Sequence, residues 1–178
     1  DGAGADWWIL NMLRAVSDGD IIGAGTMNAE SDYTAHVFSQ ELENARIAAG
    51  MQPVPWNIIS SLDATDIPFD HVLFKTPEVP VMISTSRAGI PVIQEKMKED
   101  YYLVGPVEDV SQVTEEMIAA MKQNRDKILV IATGDKAPDS RVALYIMKKL
   151  GLDKVLVETP SYMHFLVAQG LMDELFFN

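Results

Sequence analysis

Glu158 stands between an apolar run, Val155 to Val157, and the segment Thr159 to Gly170, with no spare residue separating them. Lys154 to Val157 reads as a buried parallel strand, and open α/β sheets gather ligands just outside the carboxyl ends of such strands. Ser161 to Gly170 reads as a helix whose first amide N–H groups have no partner in the preceding turn. Those groups face whatever lies beside Glu158, and they suit an anion such as a phosphate. The spacing therefore outlines a nucleotide site. Gly23, Ala24, Gly25 and Thr26 follow a second strand pattern near the start of the chain. Small residues there let a ligand approach the backbone, and Thr26 adds a hydroxyl, although a bare Gly-x-Gly is also an ordinary structural turn.

The elements that must position these residues are legible as alternating patterns. Short apolar runs at Asp20 to Ala24, Asn57 to Ser60, Val79 to Ser84, Tyr101 to Gly105, Ile128 to Ala132 and Lys154 to Val157 predict strands. Ser140 to Leu150 is the clearest helix: Val142, Ala143, Ile146, Met147 and Leu150 form one stripe, Lys148 and Lys149 fall in the last turn, and Gly151 stops it. Ser39 to Gly50 and Gln112 to Asn124 predict two more. Strands alternating with helices imply a mainly parallel central sheet with helices on both faces, its ligands along the carboxyl edge.

The chain has 178 residues, 48% of them hydrophobic, enough for one sizeable core and one domain. It has no Cys and three His, which excludes disulfides and thiolate metal sites and leaves few ligands for a catalytic zinc. No metal site is expected. A formal net charge of −12 disfavours nucleic acid and anionic membranes as partners. No run approaches the roughly 20 apolar residues that span a bilayer, and the start lacks the layout of a signal peptide, so a cytoplasmic protein is expected. His36, His71 and His164 share no metal spacing and are given no role. The methionines at 117, 121, 147 and 163 read as core filling, and Trp7 and Trp8 as core packing ahead of a cover over the pocket.

Three stretches, in order, carry a resemblance to a known family. "VLVETPSYMHFLVAQGLMDEL", Val155 to Leu175, resembles the form "VLVEGGPTL...GLVDEL" of the reductase domain of bacterial riboflavin biosynthesis, a branch of the dihydrofolate reductase-like fold. "LRAVSDGDIIGAGTM", Leu13 to Met27, resembles that family's "LRA.SDAVLVGAGTV". Between them, "PVPWNIISSLDATDIPFDHVLF", Pro53 to Phe74, resembles the stretch in which a strand ending in Ser precedes an Asp-rich turn and a Leu-Phe pair.

The resemblance implies a dihydrofolate reductase-like α/β fold and an NADPH-dependent reductase acting on a phosphorylated aminopyrimidine. Its reaction would convert a ribosylamino side chain into a ribitylamino one. It implies substrate contacts from Arg14, to the ribose phosphate, and from Glu158. It implies cofactor contacts from Gly25, Thr26, Glu30 and Ser60, and from Thr159, Pro160, Ser161, Tyr162 and Met163 in the turn and first helical turn after Glu158. Arg87 is a candidate partner of the cofactor's 2'-phosphate. No residue is assigned to the chemical step, which needs no covalent nucleophile, and a homodimer is expected. From the residues alone Arg14 reads first as a surface salt bridge, and a solvated strand-end acid is the other reading of Glu158.

The chain also departs from the family pattern. Thr159 and Pro160 replace a Gly-Gly pair, adding bulk and removing an N–H, although an X-Pro bond could keep a cis turn at a cost of about 0.5 to 1 kcal/mol. Val37 falls near a second expected arginine. The family's first strand and its last strands are expected to be lacking from the single domain 1–178. These departures leave two alternatives open: a related oxidoreductase acting on another pterin or pyrimidine, and a catalytically silent nucleotide-binding protein.

Overall fold

The computed structural model describes residues 2–176. Six strands form one sheet: β1 (Gly19–Gly23), β2 (Trp56–Ser60), β3 (Val81–Thr85), β4 (Tyr101–Val107), β5 (Ile128–Thr133) and β6 (Val155–Val157). Their order across the sheet is β4-β5-β3-β2-β1-β6, and every pairing is parallel. The helices are α1 (Gly2–Val16), α2 (Ala24–Ala29), α3 (Gln40–Ala48), α4 (Ile90–Lys96), α5 (Glu115–Gln123), α6 (Ser140–Lys149) and α7 (Pro160–Ala168). All six expected strands form, with ends shifted by one or two residues. Pro80 has no N–H to give a ladder, and β3 accordingly starts at Val81 rather than Val79.

Strands β1, β2, β3 and β5 are buried on both faces, so they read as continuous apolar runs rather than as alternating ones, while the edge strands β4 and β6 are only partly buried. Ile22, Ile59, Ile83 and Val130 face one core, shared with Met27 of α2, Ile93 of α4, and Leu73 and Phe74 of a short 3-10 turn. Ile21, Ile58, Met82, Leu129 and Ile131 face the other, which α5 and α6 close with Ile118, Met121, Val142, Ile146 and Met147. The α6 stripe behaves as its spacing predicts: Asp139 caps the helix by accepting from the Val142 N–H, and Ile146 is fully buried.

Two local expectations change. The stretch after β1 is no free turn, since α2 begins at Ala24 directly after Gly23 and places Gly25 and Thr26 in its first turn. Trp7 and Trp8 lie outside the core, 49% and 48% exposed on α1, with Trp7 stacked on Phe38. The α1 helix is anchored at its other end. Arg46 of α3 is buried and donates from Nη1 to the carbonyls of Arg14 (2.8 Å), Ala15 (2.9 Å) and Ser17 (2.6 Å), satisfying acceptors that a helix end leaves orphaned.

Candidate functional site

Adjacent parallel strands whose connections leave toward opposite faces open a crevice at their carboxyl ends. This happens at β1 and β6. After Gly23 the chain turns to the face of α2, whose Met27 belongs to the first core; after Val157 it turns to α7, whose Tyr162 packs on the second. The geometry recurs at β3 and β5, but there the loops close on each other: the N–H groups of Arg87 and Ala88 donate to the carbonyls of Gly134 (3.1 Å) and Asp135 (3.2 Å). The crevice beside Glu158 is therefore the candidate ligand site.

A cluster of buried polar groups underlies it. Glu158 is tied to β1 by its own N–H, which donates to the Ile21 carbonyl at 2.9 Å. Its carboxylate receives Arg14 Nε at 2.7 Å on Oε1 and Arg14 Nη2 at 2.7 Å on Oε2, the fork geometry that suits arginine and carboxylate. The Tyr33 hydroxyl accepts from Arg14 Nη2 at 2.6 Å and donates to Glu158 Oε2 at 3.0 Å. Arg14 Nη1 donates to the His36 carbonyl at 3.3 Å. Asp20, the second residue of β1, lies with Oδ2 3.4 Å from Arg14 Nε.

Burial sets the protonation of this cluster. Arg14 is 2% exposed and Asp20 0%, whereas the Glu158 side chain retains 17%. Burial alone raises a carboxyl's pKa, but at Glu158 hydrogen bonds led by Arg14 outweigh it and the pKa falls below the ordinary value. At Asp20 burial dominates, Glu158 reinforces it, and the pKa rises well above the carboxylate range despite Arg14. Burial would lower Arg14, but Glu158 raises it, so the guanidinium stays charged. Tyr33 is also raised, by burial first and then by the Glu158 charge.

Segment 30–39 completes this wall of the site. Asn57, the second residue of β2, acts as a substitute strand edge: Oδ1 accepts from the Ala35 N–H at 2.7 Å, and Nδ2 donates to the Ala35 carbonyl at 3.0 Å. Tyr33, Asp20 and Asn57 were not selected from the sequence. Asp20 did carry a usable signal, because a carboxylate inside the apolar run Gly19 to Gly23 must find partners or stay protonated.

The other expected site residues divide by position. Gly25 is exposed at the head of α2, and a Cβ there would meet nothing within 4 Å. Thr26 lies in the same turn, while Glu30 is exposed at the C-terminal end of α2. Ser60 ends β2, in register with Gly23 on one side and Ser84 on the other. Its neighbour Ser61 is committed internally, donating to Asp66 Oδ1 at 2.5 Å and accepting from the Ala64 N–H. Ser84 Oγ is buried and has no partner. Thr159 fills the space beside Gly23, where an added Cβ would meet its Cγ2 at 3.1 Å. Pro160 opens α7, so Ser161 and Tyr162 carry its first N–H groups. The Tyr162 side chain turns away, donating to Ser140 Oγ at 2.9 Å. Met163 follows in α7, half-buried, and its N–H closes the first turn on the Thr159 carbonyl.

Two further expectations are corrected here. The only cis peptide bond among the described residues is Gly105–Pro106, so Thr159–Pro160 is trans. Arg14 does not present its guanidinium to solvent: it is buried beneath the crevice and committed to Glu158, Tyr33 and His36. Arg87 is half-exposed and pairs with Glu108 and Asp135.

The chain is thus an open α/β sheet of parallel strands, covered by helices on both faces, with a crevice at the carboxyl ends of β1 and β6. Among solved structures, the chain is similar to a pyrimidine reductase-like protein from Corynebacterium diphtheriae, with a TM-score of 0.61 and 19% identity. The match covers 97% of this chain and 61% of that one, so this chain spans about three fifths of its relative's length. No protein-family model matches, and no curated protein is similar in sequence. No helix among the described residues is long and apolar enough to cross a membrane. Nor do they contain a group of three or more His, Asp or Glu placed to hold a metal.

Proposed function

We propose that the chain is an NADPH-dependent reductase of the pyrimidine reductase type, with its ligands in the crevice between β1 and β6. The carrying observation is Glu158, a partly exposed carboxylate fixed by Arg14 and Tyr33 where two connections part to opposite faces. The fold likeness to a pyrimidine reductase-like protein supports this reading.

Several features suit a dinucleotide. Open space over Gly25 allows close approach to the backbone, the first N–H groups of α7 at Ser161 and Tyr162 suit a pyrophosphate, and Ser84 Oγ is a buried polar atom without a partner. Gly25, Thr26, Ser60, Ser161 and Tyr162 would hold the cofactor, with Glu30, Thr159, Pro160 and Met163 around them. NADPH would supply the hydride. The chain would place the acceptor carbon, exclude water and orient the substrate through Glu158. A homodimer belongs to the same proposal, supported by the exposed apolar residues Trp7, Trp8, Ile9, Met12 and Val16 of α1.

The substrate proposed first is a phosphorylated ribosylaminopyrimidine. The commitment of Arg14 to Glu158 favours a second reading, a reductase of another pterin or pyrimidine that carries no phosphate needing this arginine. Titration with NADPH and NADH, followed by nicotinamide fluorescence, tests the reading in wild type and in Thr159→Gly/Pro160→Gly. Wild type is expected to bind NADPH, and the variant to bind it more tightly because it clears the space beside Gly23 and restores an N–H. Absence of binding in both proteins rules the cofactor out. Turnover of a phosphorylated against an unphosphorylated pyrimidine then separates the two substrates.

A further inference from the structure

The carboxyl groups of Asp20 and Glu158 meet at one donor, Arg14 Nε, which stands 2.7 Å from Glu158 Oε1 and 3.4 Å from Asp20 Oδ2. An ionised carboxylate only accepts, so two of them side by side can bond each other only when one holds a proton. The distribution of donors identifies which. Glu158 receives Nε and Nη2 of Arg14 and the Tyr33 hydroxyl. Asp20 receives none: neither of its oxygens has a hydrogen-bond donor, the side chain is 0% exposed, and its nearest cation, Arg14 Nε, stands at 3.4 Å.

Among the described residues, Arg14 is the only cation paired with Asp20. Arg14 comes from α1, Tyr33 and His36 from segment 30–39, and Glu158 from the end of β6, while the β2 residue in register with Asp20 is the neutral Asn57. The Asn57 amide is itself occupied by the Ala35 and Pro55 backbone. One arginine therefore faces two carboxyl groups and bonds only one of them.

We propose that Asp20 is a neutral carboxylic acid that donates its proton to Glu158, making Asp20 a positioning residue that holds Glu158 ionised and fixed in the crevice. This deepens, and rests on, the reading of the β1/β6 crevice as the ligand site. Arg14 and Glu158 then cancel, Asp20 adds no charge, and Glu158 meets a ligand as an acceptor. Such a group suits a sugar hydroxyl or a ring N–H.

Infrared difference spectroscopy on the ligand-free full chain tests this without assuming any activity. At a pH well above the range in which exposed carboxylates titrate, wild type is expected to show a protonated carboxyl C=O band that Asp20→Asn lacks and Glu158→Gln shifts. Absence of the band in wild type, or its survival in Asp20→Asn, overturns the proposal. A structural control separates the donor from mere packing. The amide of Asp20→Asn can still donate to Glu158, so its urea midpoint at neutral pH should equal or exceed that of wild type, whereas Asp20→Ala should lower it. Equal losses in both variants also overturn the proposal. Failure to bind NADPH would refute the reductase reading while leaving the infrared result to stand by itself.

Discussion

Arg14→Met isolates the cluster beneath the crevice. The substitution keeps an unbranched stem of similar length and removes the guanidinium, deleting two charge-assisted bonds to Glu158, one to Tyr33 and one to the His36 carbonyl. Each such bond contributes about 1.5 to 3 kcal/mol, but the total is limited because Glu158 can protonate once its cation is gone. Removal of one partner from a buried ion pair costs about 3 to 5 kcal/mol, chiefly through the charge left behind. In a chain of this length about 1 kcal/mol moves the melting temperature by 2 to 4 °C, so a fall of about 6 to 20 °C is expected. The urea midpoint at neutral pH should fall with little change in slope. Adding Glu158→Leu should then recover at least about 2 kcal/mol, since no unpaired charge remains. A single-variant loss below about 1 kcal/mol, or a double variant weaker than the single, would show that Arg14 does not anchor Glu158.

The protonation of Asp20 sets a pH dependence of definite sign. Its folded pKa lies above the unfolded value of about 3.9, so between the two the folded state holds an extra proton and stability declines as pH rises. Glu158, whose folded pKa is lowered, works in the opposite sense and loses its contribution as pH falls through that value. Asp20→Asn retains the Glu158 dependence and removes the other. Its stability relative to wild type should increase by about 1.4 kcal/mol per pH unit from about pH 4 up to the folded pKa of Asp20, then level off; parallel urea-midpoint curves for the two proteins would contradict this. At Gly134, φ is +66°, and an added Cβ would collide with the Ala137 carbonyl. Gly134→Ala should cost about 1 to 3 kcal/mol in urea unfolding, and a neutral result would show that this loop rearranges freely.

The sheet was legible because its inner strands are buried on both faces and every crossover but β2 to β3, which has only a short 3-10 turn, carries a helix. Runs such as Ile128 to Ala132 admit few other readings, and the α6 stripe determines which side meets the sheet. Strand ends were less legible, as at Val79 and Pro80, because an apolar residue does not reveal whether its N–H joins a ladder. The passage from β1 into α2 was hidden for a related reason: Gly23 to Thr26 has turn composition, but the helix there is set by Met27 packing into the first core.

At the site, Glu158 was locatable from its position at a strand end, but the commitment of Arg14 was not. The two residues are 144 positions apart in the chain, and only the parallel pairing of β1 with β6 brings them together. Tyr33 is still less visible, since it lies in a segment without regular structure that is held by the side chain of Asn57. A buried arginine and a phosphate-binding arginine share one sequence signature, a cation beside an apolar stretch. They differ in how many acceptors the fold delivers to the guanidinium. Here it delivers Glu158, Tyr33 and the His36 carbonyl, and the same delivery leaves Glu158, rather than Arg14, partly exposed at the crevice.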